Sequence, residues 1–158
     1  MIIGANTIKE LSLTEPKLLN PFLERQKYYG VSRGLGFAGY DVGIEFDEKG
    51  IIEDKIVEPG EFFLASTIEF FNMPNDLIAF AHDKSSWARR GITVQNTVIE
   101  PGWSGYLTLE IKNIGNEQVP IFRGQGIAQI IFHKLSNPVN PYRGKYHNQE
   151  RGPVSARS

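Results

Sequence analysis

The chain is dominated by short apolar segments, each bounded by turn-forming residues. They recur about every 8–12 residues, a spacing typical of an all-β sandwich, jelly roll or small barrel. One of them, residues 39–46, alternates apolar and polar residues, as half-buried strands do. The predicted strands cover residues 39–46, 61–69, 77–82, 92–99, 106–112, 118–122 and 127–135. Helical periodicity is scarce, so the pattern predicts an all-β fold.

The chain divides into two parts at residue 136. Residues 1–136 are predicted to form one β-domain with a short N-terminal helix over residues 6–13, which Thr14 and Pro16 end. Residues 137–158 are polar and cannot bury themselves alone. We expect them to form an extended C-terminal tail.

Composition excludes several classes of partner. Lys and Arg number 17 and Asp and Glu number 18, which gives a net charge of −1, so no global field attracts nucleic acid. The absence of cysteine excludes disulfides and thiolate metal sites and suits a reducing cytoplasm. The N-terminus lacks a secretory pattern, and no apolar window is as long as a membrane span. We therefore expect a cytoplasmic protein with no membrane or nucleic-acid partner.

One segment, residues 83–91, interrupts the β pattern. It predicts a helical turn that Asp83 or Ser85 caps and Gly91 ends. A helix start with two serines, followed by Arg89 and Arg90, offers N–H groups, hydroxyls and guanidiniums to a phosphate. The alternative is a capped surface helix with solvated arginines, which the local pattern alone favours.

Zinc-dependent deamination is not indicated. It requires a His/Cys cluster with an H-x-E signature, whereas His82, His133 and His147 are scattered and none is followed by x-Glu. A G-x-S-x-G signature for Ser-His-Asp catalysis is also absent. We predict no metal site built from protein ligands.

Two acidic residues are candidates for chemistry. Glu110 lies in an apolar strand and is expected to share a face with Tyr106 and Thr108; half-burial there would raise its pKa, as a general acid/base needs. The alternative is a solvent-facing strand residue. Glu100 precedes a tight turn and could bind a sugar hydroxyl or orient water, or be only a turn residue.

Five ordered motifs resemble the trimeric dUTPase/dCTP deaminase superfamily across nearly the whole chain. Each is weak alone, but their order and spacing are similar throughout. They are Gly39-Tyr40-Asp41-Val42; Glu58-Pro59-Gly60-Glu61 with Thr67-Ile68-Glu69; residues 84–91; residues 98–105; and residues 124–132. The resemblance implies a distorted jelly-roll or β-barrel of the dUTPase-like type.

Three features resemble the deaminase branch more than the dUTPases. Glu110 follows Leu107-Thr108-Leu109, where plain dUTPases typically lack a Glu. The turn Pro101-Gly102-Trp103 has the deaminase form. Residues 142–149 resemble the deaminase ending Y…KY-x-x-Q, and the Gly-rich, Phe-containing dUTPase tail is absent.

The resemblance implies a zinc-independent dCTP deaminase that supplies dUTP or dUMP for thymidylate synthesis. Glu110 would be the general acid/base, kept ionised by Arg89, with Ser86 and Arg89 holding the attacking water. Mg²⁺ would be bound through the substrate triphosphate. The protein would be a homotrimer with sites between subunits, and the tail would close over the active site. The implied substrate-binding residues are Lys84, Ser85, Asn96, Val98, Glu100, Trp103, Gln129, Tyr142, Lys145 and Gln149.

Several departures from the family pattern keep alternatives open. The segment between Gly91 and Glu100 is about two residues shorter than the usual hairpin, and Val98 stands where deaminases often carry Arg. Glu100 replaces Asp, and Lys84 replaces Arg and loses its bidentate fork. The alternatives are a dUTP diphosphatase, or a bifunctional enzyme that releases dUMP and pyrophosphate. A third is a non-catalytic nucleotide-binding regulatory protein.

Overall fold

A computed structural model describes residues 1–158 as a curled, mostly β structure, which confirms the predicted fold class. The sequence pattern did not predict the strands over residues 19–20, 26–28, 31–35 and 54–57. The elements are α1 Ala5–Leu13, β1 Leu19–Asn20, β2 Gln26–Tyr28, β3 Val31–Leu35, β4 Tyr40–Glu45, β5 Asp54–Val57, β6 Phe62–Asn72, β7 Leu77–Asp83, α2 Ser85–Ala88, β8 Ile92–Val94, β9 Val98–Ile99, β10 Ser104–Asn113, β11 Val119–Phe122 and β12 Gly126–Lys134.

Strand β4 lies at the centre of the main sheet. The strand order is β8-β10-β6-β4-β12-β7-β9, with β1 against β6, β3 against β4 and β2 against β3, while β5 and β11 form a separate pair. Every residue of β4 is buried, as expected where neighbouring strands and both faces are covered. The buried charges are paired: the Arg33 Nη2 atom lies 2.8 Å from Glu69 Oε1, and Arg123 Nε lies 2.9 Å from Glu45 Oε1.

A β-bulge in strand β6 interrupts its pairing with β10. The register shifts between Tyr106 and Thr108, and the Thr67 hydroxyl accepts the Leu107 N–H at 3.0 Å. The single residue Leu107 lies opposite the three residues 67–69, so the extra residues belong to β6. Leu107, Thr108 and Glu110 line one cavity, whereas Tyr106 packs edge-on against Phe70. Glu110 and Thr108 line the same cavity, as predicted, whereas Tyr106 is not among the residues that line it.

The predicted strand over residues 92–99 is two strands. Strand β8 pairs with β10, and β9 pairs with β7 on the other side of the sheet. The segment is therefore a crossing between two partners and not a hairpin. Residues 95–97 make this crossing, and Asn96 contacts β10 through its side chain.

The two helices were predicted, but their capping was not. Helix α1 ends before Thr14 as expected. Helix α2 has Lys84 at its N-cap and no side-chain capping bond. The predicted cap Asp83 instead accepts the Val94 N–H at 2.6 Å and the Thr93 hydroxyl at 3.0 Å. Neither helix is long and apolar enough to cross a membrane.

The C-terminal tail packs on its own domain. The Asn148 N–H donates to the Ser104 carbonyl and the Tyr106 N–H to the Gln149 carbonyl, each at 2.9 Å. Farther along, Arg151 pairs with the buried Glu45 carboxylate. The tail thus uses the sheet as its core, as its polar composition requires.

Candidate active site

A cavity of about 450 Å³ lies between the β10 face, the crossing between β8 and β9, and the tail. Apolar side chains form most of its wall, with a few polar groups among them, which is the usual make-up of a small-molecule site. Seven of the predicted site residues line it: Asn96, Val98, Glu100, Trp103, Glu110, Tyr142 and Gln149.

Glu110 is the carboxylate in this cavity whose pKa is shifted. Its side chain is half-buried, and burial raises the pKa of the Glu110 carboxyl above the usual glutamate range. It makes no ion pair within the chain, so the expected pairing with Arg89 is not formed there. A raised pKa suits a carboxyl that must both take up and give back a proton, as a general acid/base does.

The turn before β10 holds the start of the tail. The Tyr142 N–H donates to the Pro101 carbonyl at 2.8 Å, and the Trp103 indole N–H donates to the Tyr146 carbonyl at 2.7 Å. Gly102 has φ +75°, and a Cβ there would come within 2.4 Å of Pro141. Each residue of Pro101-Gly102-Trp103 therefore serves contact with the tail: Pro101 and Trp103 through hydrogen bonds, and Gly102 by leaving room for Pro141.

The middle of the tail is tied to the strand that carries Glu110. The Gln149 side-chain amide donates to the Thr108 hydroxyl, which also accepts the Val154 N–H at 3.1 Å. Gly105 has φ +142°, and a Cβ there would lie 2.6 Å from the Gln149 nitrogen. Lys145 lies outside the cavity and donates to the Arg157 carbonyl.

The predicted phosphate-binding segment lies outside the cavity of its own chain. Ser85, Ser86 and Arg89 are exposed at helix α2. Lys84 is held inside the chain, with its ammonium 2.9 Å from Asp41 Oδ2 and 2.7 Å from the Ser32 hydroxyl. Gln129, on β12, also faces Asp41, with its amide nitrogen 3.5 Å from Asp41 Oδ1. Nucleotide binding by these residues stays a prediction.

Comparison with known proteins decides the family. The sequence model that describes the dCTP deaminase-like family matches residues 43–135, more than half of the chain. A dCTP deaminase of Campylobacter concisus (strain 13826) is 36% identical over 170 aligned positions, covering 90% of this chain and 91% of the relative.

The chain belongs to the dCTP deaminase-like family.

Solved structures agree on the fold of this family member. The 2′-deoxycytidine 5′-triphosphate deaminase of Agrobacterium tumefaciens superposes with a TM-score of 0.67 at 18% identity, covering 84% of this chain and 48% of that chain. A mutant dUTPase from phage phi11 of S. aureus, described with a structural Mg(II) ion, superposes with a TM-score of 0.54 at 16% identity. It covers 81% of this chain and 94% of that chain. The dUTPase-like fold is therefore shared with both.

The cavity of this dCTP deaminase-like protein contains residues that sequence reasoning missed. Phe62 and Leu64 come from β6, where Leu64 pairs with Glu110, and their spacing of two could have indicated one face. Val154 and Ala156 have the same spacing, but no sequence signal connects the end of the tail with the cavity.

Proposed function

We propose that the protein hydrolyses dCTP to dUTP and ammonia. The observation that carries the proposal is Glu110, a half-buried carboxyl with a raised pKa and no ion pair, in a cavity of about 450 Å³. Membership of the dCTP deaminase-like family supports the same substrate. The dUTP formed would supply thymidylate synthesis, and the cysteine-free composition suits work in the cytoplasm.

In the proposed mechanism, Glu110 moves the protons. The ionised carboxylate takes a proton from water, and the hydroxide adds to C4 of the cytosine ring. Glu110 passes this proton to N3, and the C4–N4 bond breaks after the amino group gains the proton of the added hydroxyl. Ammonia leaves, and the base becomes uracil. General acid–base help of this kind is worth roughly 10²–10⁴-fold.

We propose that the complete site forms between subunits of a homotrimer. Ser85, Ser86 and Arg89 are exposed and lie away from the cavity of their own chain, so a second copy can present them to it. Ser86 and Arg89 would then hold water and phosphate, and Gln129 would meet the nucleotide across the boundary. A monomer in light scattering would contradict the shared site.

We propose chemistry without zinc and a Mg²⁺ ion that arrives with the triphosphate. The chain has no cysteine, and no group of three or more His, Asp or Glu side chains is arranged to hold a metal. Asp41 and Asp83, the carboxylates beside helix α2, are already engaged by Lys84, Thr93 and Val94. A hydrated Mg²⁺ on phosphate oxygens needs no protein cage.

The test is the Glu110→Gln variant, assayed for ammonia release and for dCTP binding. We expect deamination to be lost and binding to be retained, because glutamine keeps the shape but cannot take the proton. Folding should be unaffected, since the substitution removes a desolvated charge. Glu117→Gln, at an exposed turn, is the matched control and should behave as wild type. Substantial ammonia release by Glu110→Gln would refute the proposal.

The second candidate is hydrolysis of dUTP to dUMP and pyrophosphate, alone or after deamination. Val98 favours it, because this cavity residue presents an apolar side chain where deaminases often carry Arg. Glu100, exposed at the rim of the same cavity, would orient the water that attacks the α-phosphate. Pyrophosphate release that Glu100→Gln abolishes would support this activity. Tight binding without turnover would favour a regulatory protein.

A further inference from the structure

The backbone of strand β8 leaves β10 just before it reaches Glu110. Val94 pairs with Ile111, and the Gln95 N–H donates to the Glu110 carbonyl at 2.8 Å. The chain then crosses toward β7, where Val98 pairs with Phe80. Two polar groups of β10, the Glu110 N–H and the Thr108 carbonyl, are thereby left without a backbone partner on this edge.

The side chain of Asn96 satisfies both of these groups. Its Oδ1 atom accepts the Glu110 N–H at 3.0 Å, and its Nδ2 atom donates to the Thr108 carbonyl at 2.6 Å. The two backbone partners fix the orientation of the amide, because an N–H needs an acceptor and a carbonyl needs a donor. The Asn96 amide therefore takes the place of a peptide group and continues the β8–β10 ladder by one step.

We infer that Asn96 is a positioning residue for Glu110, which it orients in the cavity by holding the backbone on both sides of it. The inference rests on the proposed function, in which Glu110 moves the protons. It differs from the expectation that Asn96 binds substrate, because both ends of the amide are already used by β10. The β6 bulge opposite Leu107 increases the need for this support, since the pairing of β10 with β6 is irregular there.

The chemistry of the contact limits what can replace asparagine. Alanine leaves the N–H and the carbonyl unpaired at a part-buried edge. Aspartate has the same size and can accept the Glu110 N–H, but it cannot donate to the Thr108 carbonyl. Its negative charge would also lie beside Glu110, and a like charge nearby favours the protonated carboxyl.

The expected effects separate positioning from substrate binding. A misplaced acid/base lowers kcat, so Asn96→Ala should lose roughly 10- to 100-fold in kcat. Its KM for dCTP should change by no more than about threefold, because the substitution removes no contact with the bound substrate. Asn96→Asp should move the acid limb of kcat to higher pH, a change that loss of stability alone would not produce.

The experiment measures kcat, KM and the pH profile of ammonia release from dCTP for wild type, Asn96→Ala and Asn96→Asp. Gln95→Ala is the matched control, because Gln95 is the exposed neighbour and contributes only its backbone N–H, which alanine retains. A raised KM with unchanged kcat in Asn96→Ala, or an unmoved acid limb in Asn96→Asp, would overturn the inference. If the alanine variant does not fold, the aspartate variant decides.

Hydrogen exchange separates this inference from the proposed function. The Glu110 amide should exchange faster in Asn96→Ala than in wild type, and should stay protected in Gln95→Ala and Asn96→Asp. If the wild-type protein released no ammonia, the proposed function would be refuted, but the exchange rate of the Glu110 amide would still test the positioning role. Unchanged protection of the Glu110 amide in Asn96→Ala would overturn the positioning role.

Discussion

The hydroxyl of Thr108 holds the C-terminal tail against strand β10 at two points. It accepts the Val154 N–H at 3.1 Å and the side-chain amide of Gln149. Thr108→Val keeps the size and the β-branched shape that suit a strand but removes the acceptor. We expect the sheet to stay intact and the tail to detach more often.

The two lost bonds set the size of the effect. A typical hydrogen bond contributes about 0.5–1.5 kcal/mol net, so two contribute about 1–3 kcal/mol to tail closure. Since about 1.4 kcal/mol is tenfold in an equilibrium constant, the open-to-closed ratio of the tail should rise by roughly 5- to 150-fold. Thr108→Ser keeps the hydroxyl and is the matched control.

The assay is the rate of tryptic cleavage at Lys145 and Arg151, both within the tail. Under conditions in which opening is fast relative to cleavage, this rate follows the open population. We expect Thr108→Val to be cleaved faster and Thr108→Ser to resemble wild type. Equal cleavage rates for all three proteins would refute the two-point attachment. Slow cleavage of Thr108→Val together with a lowered melting temperature would also contradict it.

Three further outcomes follow from the geometry. Gly105→Ala should detach the tail, because its Cβ would collide with the Gln149 nitrogen. Gly30→Ala, also at a positive φ (+79°) but with open space around it, should not, and tryptic cleavage compares the two. Arg33→Met should lower the free energy of unfolding by about 3–5 kcal/mol, measured with urea, because it leaves the buried partner carboxylate uncompensated. The acid limb of kcat/KM should lie above the usual glutamate range of about 4.3. The active base is the Glu110 carboxylate, and burial raises its pKa in the ligand-free chain, so protonation begins at higher pH as the solution is acidified; a limb at or below that range would contradict this.

The fold was predictable because strand alternation and turn residues are local signals. The stretch around Glu110 was identified as a strand from the turn residues that bound it, and the short helix before Gly91 from its glycine stop. The bulge in β6 was not predictable, because it depends on how β6 pairs with β10, where Leu107 contacts Thr67, 40 residues earlier in the chain. The packing of Tyr106 against Phe70, outside the cavity lining, is likewise a tertiary effect.

The site was predictable in part for the same reason. Glu100, Trp103 and Glu110 occupy motif positions and meet in one cavity with Tyr142 and Gln149 of the tail. The role of the Asn96 amide depends on where β8 leaves β10. The sequence pattern predicted a single strand over residues 92–99, so it gave no sign of this departure.

The contribution of the chain end had no sequence signal. Val154 and Ala156 line the cavity, and bonds from Arg151, Gly152 and Val154 to Glu45, Ser66 and Thr108 hold this end of the tail in place. Small apolar residues in a polar tail give no indication of such a surface before the sheet is folded.

The most direct test of the central claim is a product analysis of dCTP incubated with Mg²⁺ and either wild type or Glu110→Gln. We predict that wild type releases ammonia in step with the loss of the cytosine amino group, that dUTP or its hydrolysis product dUMP accumulates, and that Glu110→Gln releases none. Release of pyrophosphate and dCMP without ammonia, or equal ammonia release by the two proteins, would contradict deamination at Glu110.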